Sequence, residues 1–154
     1  MLNLVLINPE IPQNTGNVAR SAIAQNCKLH LVEPIGFSLD DRNLKRAGLD
    51  YWKHVDLQLW NSAEDFFNSV DIERVHLFST RGEQRYDKAE YIDGDYLVFG
   101  SESTGLSPDL LFSYSERTRY LPMLSLKVRS LNLSSAVSAV FFEALRQLDF
   151  FGES

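Results

Sequence analysis

The chain has 154 residues, 44% of them hydrophobic, which is an ordinary globular composition and enough for one domain over 1–154 with a core that needs no staples. Fifteen Lys and Arg stand against twenty-one Asp and Glu, and the net charge of −6 argues against indiscriminate nucleic-acid binding. A single cysteine, Cys27, rules out an intrachain disulfide and a thiolate-rich metal site, and no apolar run reaches the length of a membrane helix.

The chain opens MLNLVLINPE, with no basic segment ahead of its apolar run. It therefore reads as a buried strand over 2–7 near the sheet centre, not a signal peptide, and a cytoplasmic protein is expected. Asn8, Pro9, Pro12, Asn14 and Gly16 make a turn, and a helix follows over 15–25 with Val18, Ala22 and Ile23 on one side. A second strand covers 28–32 and a short charged helix 40–47. Residues 55–60 form an edge-like third strand, because Asp56 and Gln58 interrupt it. Ser62 caps a helix over 63–69 with Asp65 completing a capping box. Further strands cover 74–79, 96–99 and 117–121. Helices cover 106–112 and 133–148. Strands alternating with helices predict an α/β fold, a mostly parallel sheet flanked by helices.

The charge is uneven. Residues 56–116 hold thirteen acids and four bases, whereas 117–146 hold five bases and one acid. The last helix carries Val137, Val140, Phe141, Ala144 and Leu145 at helical spacing, and also Ala136, Ala139 and Phe142 on another side. A helix apolar on two sides is covered on two sides, by the monomer or by a second subunit.

Ligands of open α/β sheets bind beyond the carboxyl ends of the strands. Three segments there are rich in polar residues: PEIPQNTGNVAR (9–20), LVFGSESTGLS (97–107) and LPMLSLKVRSLNLSSA (121–136). The second is neither a dinucleotide fingerprint nor a P-loop, and it lacks the GxSxG form of a hydrolase nucleophile. In the third, one polar residue caps the last helix and the rest are surplus to capping. Arg117 and Arg129 are candidates for phosphate contact. His30, His54 and His76 form no site by spacing and read as core or edge residues. No metal-ligand pattern appears.

Read together, PEIPQNTGNVAR, LVFGSESTGL and VRSLNLSSAV resemble the three motifs of the SPOUT-type RNA ribose 2′-O-methyltransferases. The likeness extends through LHLVEPIGF, DDRNLKRAGLDYW and FFEALRQL, and is strongest to the minimal members acting on the wobble nucleotide of tRNA. The resemblance implies a C-terminal deep trefoil knot, a rare exception to unknotted connections. It also implies S-adenosylmethionine as cofactor without a metal, a homodimer through the first and last helices, and the tRNA anticodon stem-loop as substrate. The methyl group then goes to the 2′-hydroxyl of nucleotide 34, C or modified U.

By the same resemblance, Arg20, Glu102, Ser130 and Asn132 are catalytic. Phe78, Gly100, Leu121, Ser130, Leu131 and Leu133 bind the cofactor, with Gly100 at a close approach of cofactor to backbone. Asn17 and Gly105 support the loops. Arg20, Arg42, Lys45, Arg46 and Arg129 meet RNA. A guanidinium is a poor base, so Arg20 is expected to orient the 2′-hydroxyl and stabilise oxyanion character. Two departures stand out. Thr104 occupies the place of an arginine common in the second motif, and the stretch between Met123 and Arg129 is one residue longer than usual. Alternatives left open are methylation at another tRNA or rRNA nucleotide, an RNA-binding module without transfer activity, and an unrelated nucleotide binder.

Overall fold

Seven strands form one sheet: β1 (Asn3–Ile7), β2 (Lys28–Val32), β3 (Leu57–Trp60), β4 (Val75–Phe78), β5 (Gln84–Arg85), β6 (Tyr96–Phe99) and β7 (Thr118–Tyr120). Their order is β3-β2-β1-β6-β4-β7-β5, and every ladder is parallel. The helices are α1 (Pro12–Ala24), α2 (Arg42–Gly48), α3 (Ala63–Ser69), α4 (Pro108–Ser113) and α5 (Leu133–Gln147). The computed structural model describes residues 1–152, the side chains at 45, 47–50, 151 and 152 excepted. Lys45, an expected RNA contact, therefore has its side chain outside the described residues.

Alternation along β1 explains why the sheet is covered on both faces. Leu4 and Leu6 enter one core with Val18 and Ala22 of α1 and Val137 and Phe141 of α5. Val5 and Ile7 enter a second core with Phe66 of α3, and Leu110 of α4 packs against it. Strands buried on both faces read as continuous apolar runs, and NLVLI does so. The edge-like third strand is β3, which ends the sheet. Ser62 Oγ accepts the Asp65 N–H at 3.1 Å, as the sequence predicts.

Helix α1 begins at Pro12, three residues earlier than the polar string suggests, so Asn14 and Gly16 are not a turn but buried helical residues, like Thr15 between them. Proline suits the first turn of a helix, where its missing N–H is not needed. His54, expected as a core or edge residue, is neither. It ends a 3-10 segment and is exposed, because the Val55 N–H closes back on the Trp52 carbonyl and β3 begins only at Leu57.

The two-residue β5 is too short to show periodicity and is absent from the sequence reading. Its position matters, because β7 lies between β4 and β5. The connection 79–83 joins β4 to β5 across the end of β7. The Ser79 N–H donates to the Arg119 carbonyl at 3.0 Å, and the Glu83 N–H donates to Thr118 Oγ1 at 3.0 Å. Gly82 presses on the same strand; a Cβ there would lie 2.2 Å from the Arg119 carbonyl carbon.

Candidate active site

Motif one leaves β1 and motif two leaves β6, and these strands are neighbours. Chain direction diverges there: α1 packs on one face and α4 on the other. Such a switch point opens a crevice at the strand ends.

A chain of hydrogen bonds crosses this point. The Glu102 carboxylate accepts the backbone N–H of Glu10 at 2.9 Å and of Ile11 at 2.8 Å. It also accepts Asn14 Nδ2 at 3.2 Å. Asn132 Nδ2 donates to Asn14 Oδ1 at 3.2 Å, and Asn132 Oδ1 accepts the Ser135 N–H and the Ser134 hydroxyl. The three motifs, far apart in sequence, thus meet through Glu102, Asn14 and Asn132. Ile11 provides no side-chain cap for α1. Glu102 places a carboxylate at that N-terminus, where a negative charge is favoured. Asn132 caps α5, which settles which of the surplus polar residues does so.

A second bond set runs the other way. Glu10 Oε1 accepts the Ser103 N–H at 3.0 Å and its hydroxyl at 2.6 Å. The Ser103 hydroxyl, then its N–H, hold the Glu10 carboxyl below the usual range, although Glu10 is exposed. The Ser101 and Thr104 hydroxyls bond to each other at 2.7 Å, closing the second-motif turn.

Gly100 is required by the chain itself. A Cβ there would lie 2.1 Å from the Gly105 carbonyl carbon and 2.3 Å from the Leu106 nitrogen, so the close neighbour is the returning turn. This turn gives the glycine a reason of its own, besides the approach of a cofactor that the sequence resemblance implies. Gly105, at φ 69°, takes the left-handed conformation that lets the turn return.

The remaining expected residues are distributed as follows. Phe78 ends β4, Gly100 follows β6 and Leu121 follows β7, three adjacent strands of the sheet. Phe78 stacks on Phe99 with ring centroids 4.8 Å apart. Leu133 begins α5, and Ser130, Leu131 and Arg129 lie exposed in the loop before it. Arg20 is exposed on α1 with its guanidinium 5.4 Å from the Tyr51 ring centroid. Arg42 and Arg46 are exposed on α2, which packs against α1. Asn17, expected to support the first-motif loop, is an exposed residue within α1. Arg117 does not face a ligand. It donates to the Val75 and Glu73 carbonyls, at the amino end of the sheet.

Sequence reasoning missed Glu10 and Asn14 as site residues, although both stand in the first polar segment. The signal was the surplus of polar residues there, which a turn does not need. Among the described residues, no cluster of His, Cys, Asp or Glu is arranged to hold a metal.

This geometry defines an α/β protein with a candidate ligand site where the chain connections of a parallel sheet diverge, built from three separated motifs. The SpoU rRNA Methylase family matches residues 1–142, and the chain belongs to it. The chain is 44% identical over 156 residues to the tRNA (cytidine(34)-2′-O)-methyltransferase of Burkholderia ambifaria, covering 99% of each chain. A solved structure concerned with 2-OH methylation of C/U34 on tRNA shares 51% identity at a TM-score of 0.91, covering 97% of each chain. The fold, at 23% identity and a TM-score of 0.83, is also that of an AdoMet-bound rRNA methyltransferase from Sinorhizobium meliloti, over 96% of this chain and 56% of that one.

Proposed function

We propose that this protein transfers the methyl group of S-adenosylmethionine to the ribose 2′-hydroxyl of nucleotide 34, C or modified U, in tRNA. The observation that carries this reading is the Glu102–Asn14–Asn132 bond chain, which draws the three motifs to one place. A relative of the same length that bears this activity in its name supports it.

We assign the cofactor to the ends of β4, β6 and β7. Phe78, Gly100 and Leu121 lie side by side there, and the loop carrying Ser130 and Leu131 leads from β7 to Leu133. When bound, S-adenosylmethionine supplies an electrophilic methyl group. Arg20 holds the 2′-oxygen and stabilises its negative charge as the hydroxyl proton leaves to a nearby acceptor, for which an RNA phosphate is the candidate. Glu102 acts as a positioning residue, because its oxygens are engaged by two amides and Asn14. Asn132 fixes the third motif against the first, and Ser130 serves the cofactor side. Arg42, Lys45, Arg46 and Arg129 neutralise RNA phosphates.

The protein works as one domain and as a homodimer through α1 and α5. The inward face of α5 is filled by the monomer, while Ala139 and Phe142 remain exposed. The segment 79–83 closing over β7 supports the trefoil knot. A tRNA substrate places the enzyme in the cytoplasm. No described helix is long and apolar enough to cross a membrane.

The test is incubation of the protein with methyl-labelled S-adenosylmethionine and total tRNA, followed by mapping of the labelled nucleotide. Label on the ribose of nucleotide 34 is expected. Label confined to another RNA position, or none, overturns the reading.

A further inference from the structure

A groove of about 580 Å³ opens beside Glu10 and the second-motif turn, and neither Glu102 nor Asn132 lines it. Ile7 and Asn8 at the end of β1, residues 34–36 after β2 and the second-motif turn line it. Its size lies within the range of small-ligand sites, roughly 300–1,000 Å³. Ile35 and Leu110 give it apolar surface, and the hydroxyl residues Ser101, Ser103 and Thr104 line the side shared with the motif.

Its charge selects the ligand. Among the described residues of the lining, Glu10 is the one charged side chain, and there is no Lys, Arg or His. A phosphate is repelled by such a site. Both Ser103 bonds fall on Glu10 Oε1 and the Ser101 hydroxyl also acts on the carboxylate, which leaves part of its four lone-pair sites open to a ligand donor. A carboxylate oxygen matches an exocyclic amine such as cytosine N4. Apolar surface matches the face of a planar ring, and unpaired RNA bases offer both.

We infer that this groove is a subsite for an unpaired, amine-bearing nucleobase of the RNA strand next to the methylated ribose, with Glu10 as the residue that reads the amine. The inference rests on the methyltransferase reading, which places RNA at the adjoining motifs. Adenine, cytosine and guanine each bring an exocyclic amine to Glu10, whereas uracil has none and offers only its N3–H, set between two carbonyls that the carboxylate repels.

The experiment compares wild type, Glu10→Gln and Ala63→Phe on anticodon stem-loops in which each nucleotide flanking position 34 carries each of the four bases. Stem-loop binding is read by fluorescence anisotropy and transfer by kcat/KM. Ala63, at the start of α3, lines the groove, so phenylalanine there fills it while leaving the Ser62 cap in place. In Glu10→Gln the side-chain amide keeps an oxygen for Ser103 and presents a donor beside it. In wild type, one flanking position should disfavour uracil by about tenfold, the size of one good base contact. Glu10→Gln should bring that ratio to within about twofold, and Ala63→Phe should flatten it. The same base profile in all three proteins, or a flat profile in wild type, overturns the subsite. Binding decides this even where transfer is absent, whereas loss of transfer by wild type on every RNA overturns only the methyltransferase reading. Thermal unfolding checks Ala63→Phe, and if that variant fails to fold, Glu10→Gln decides alone.

Discussion

Glu102 is the residue on which the site turns. It takes two backbone amides and one side-chain amide, and hydrogen bonds to a charged group are each worth roughly 1.5–3 kcal/mol. Glu102→Ala should therefore lower the melting temperature and abolish transfer together, because the start of α1 loses its cap. Glu102→Gln keeps one strong acceptor and should retain part of both, as measured by calorimetry and labelled methyl transfer. Arg20 behaves differently. It is exposed, and its guanidinium lies over the Tyr51 ring. Arg20→Ala should leave melting and cofactor binding near wild type while transfer falls by about a hundredfold, the scale of one lost electrostatic donor. Equal losses of cofactor binding and transfer, seen by calorimetric titration beside activity, would remove its assigned role.

Two elements, β2 and β4, carry buried histidines that make folding sensitive to acid. Trp60 Nε1, which can only donate, bonds His30 Nδ1 at 3.0 Å, so Nε2 carries the proton and donates to Asn3 Oδ1 at 2.9 Å. His30 is therefore neutral, and burial, helped by Lys28, holds it down to about 4. His76 follows the same pattern: Arg119 Nε donates to its Nδ1, and its Nε2 donates to Asp95. Burial lowers it too, against the pull of Asp95. In the unfolded chain both protonate near 6.5. Stability should thus be full above about 6.5 and fall as pH drops towards 4, by on the order of 3 kcal/mol for His30. Urea unfolding across that window should show the slope, and His30→Gln, which cannot protonate, should reduce it. At the other end of β4, Gly82→Ala forces a Cβ into the Arg119 backbone. It should cost more than about 2 kcal/mol and expose the amides of 79–83 to hydrogen exchange.

At the scale of the whole molecule, four arginines that the sequence resemblance assigns to RNA are all exposed. Arg42 and Arg46 project from α2, beside the α1 that carries Arg20, and Arg129 from the loop before α5. Phe142 is 45% exposed on α5 and Leu124 and Leu126 are fully exposed in that loop, apolar surface of a kind that partners cover. If the proposed dimer forms through α5, Phe142→Asp should give a monomer in sedimentation velocity and lower transfer, while the urea midpoint of the chain changes little, because the residue lies outside the buried core and touches only Phe141 and Phe150 among the described aromatic rings.

The parallel α/β plan was legible because it depends on local patterns: apolar runs such as 2–7, the Ser62 cap and the spacing along α5. The motif segments were legible as polar surplus at strand ends. The amino acid order did not reveal that Asn14 lies within a helix. That helix is capped by a carboxylate at 102, and a bond between residues so distant leaves no local pattern. It also did not reveal β5 or the pressure of Gly82 on Arg119, since two residues carry no period and a close approach has no signature until the partner is in place. Sequence settled which faces must be buried. Only the packed chain decided which distant groups share a hydrogen bond, because that depends on the order in which the strands lie side by side.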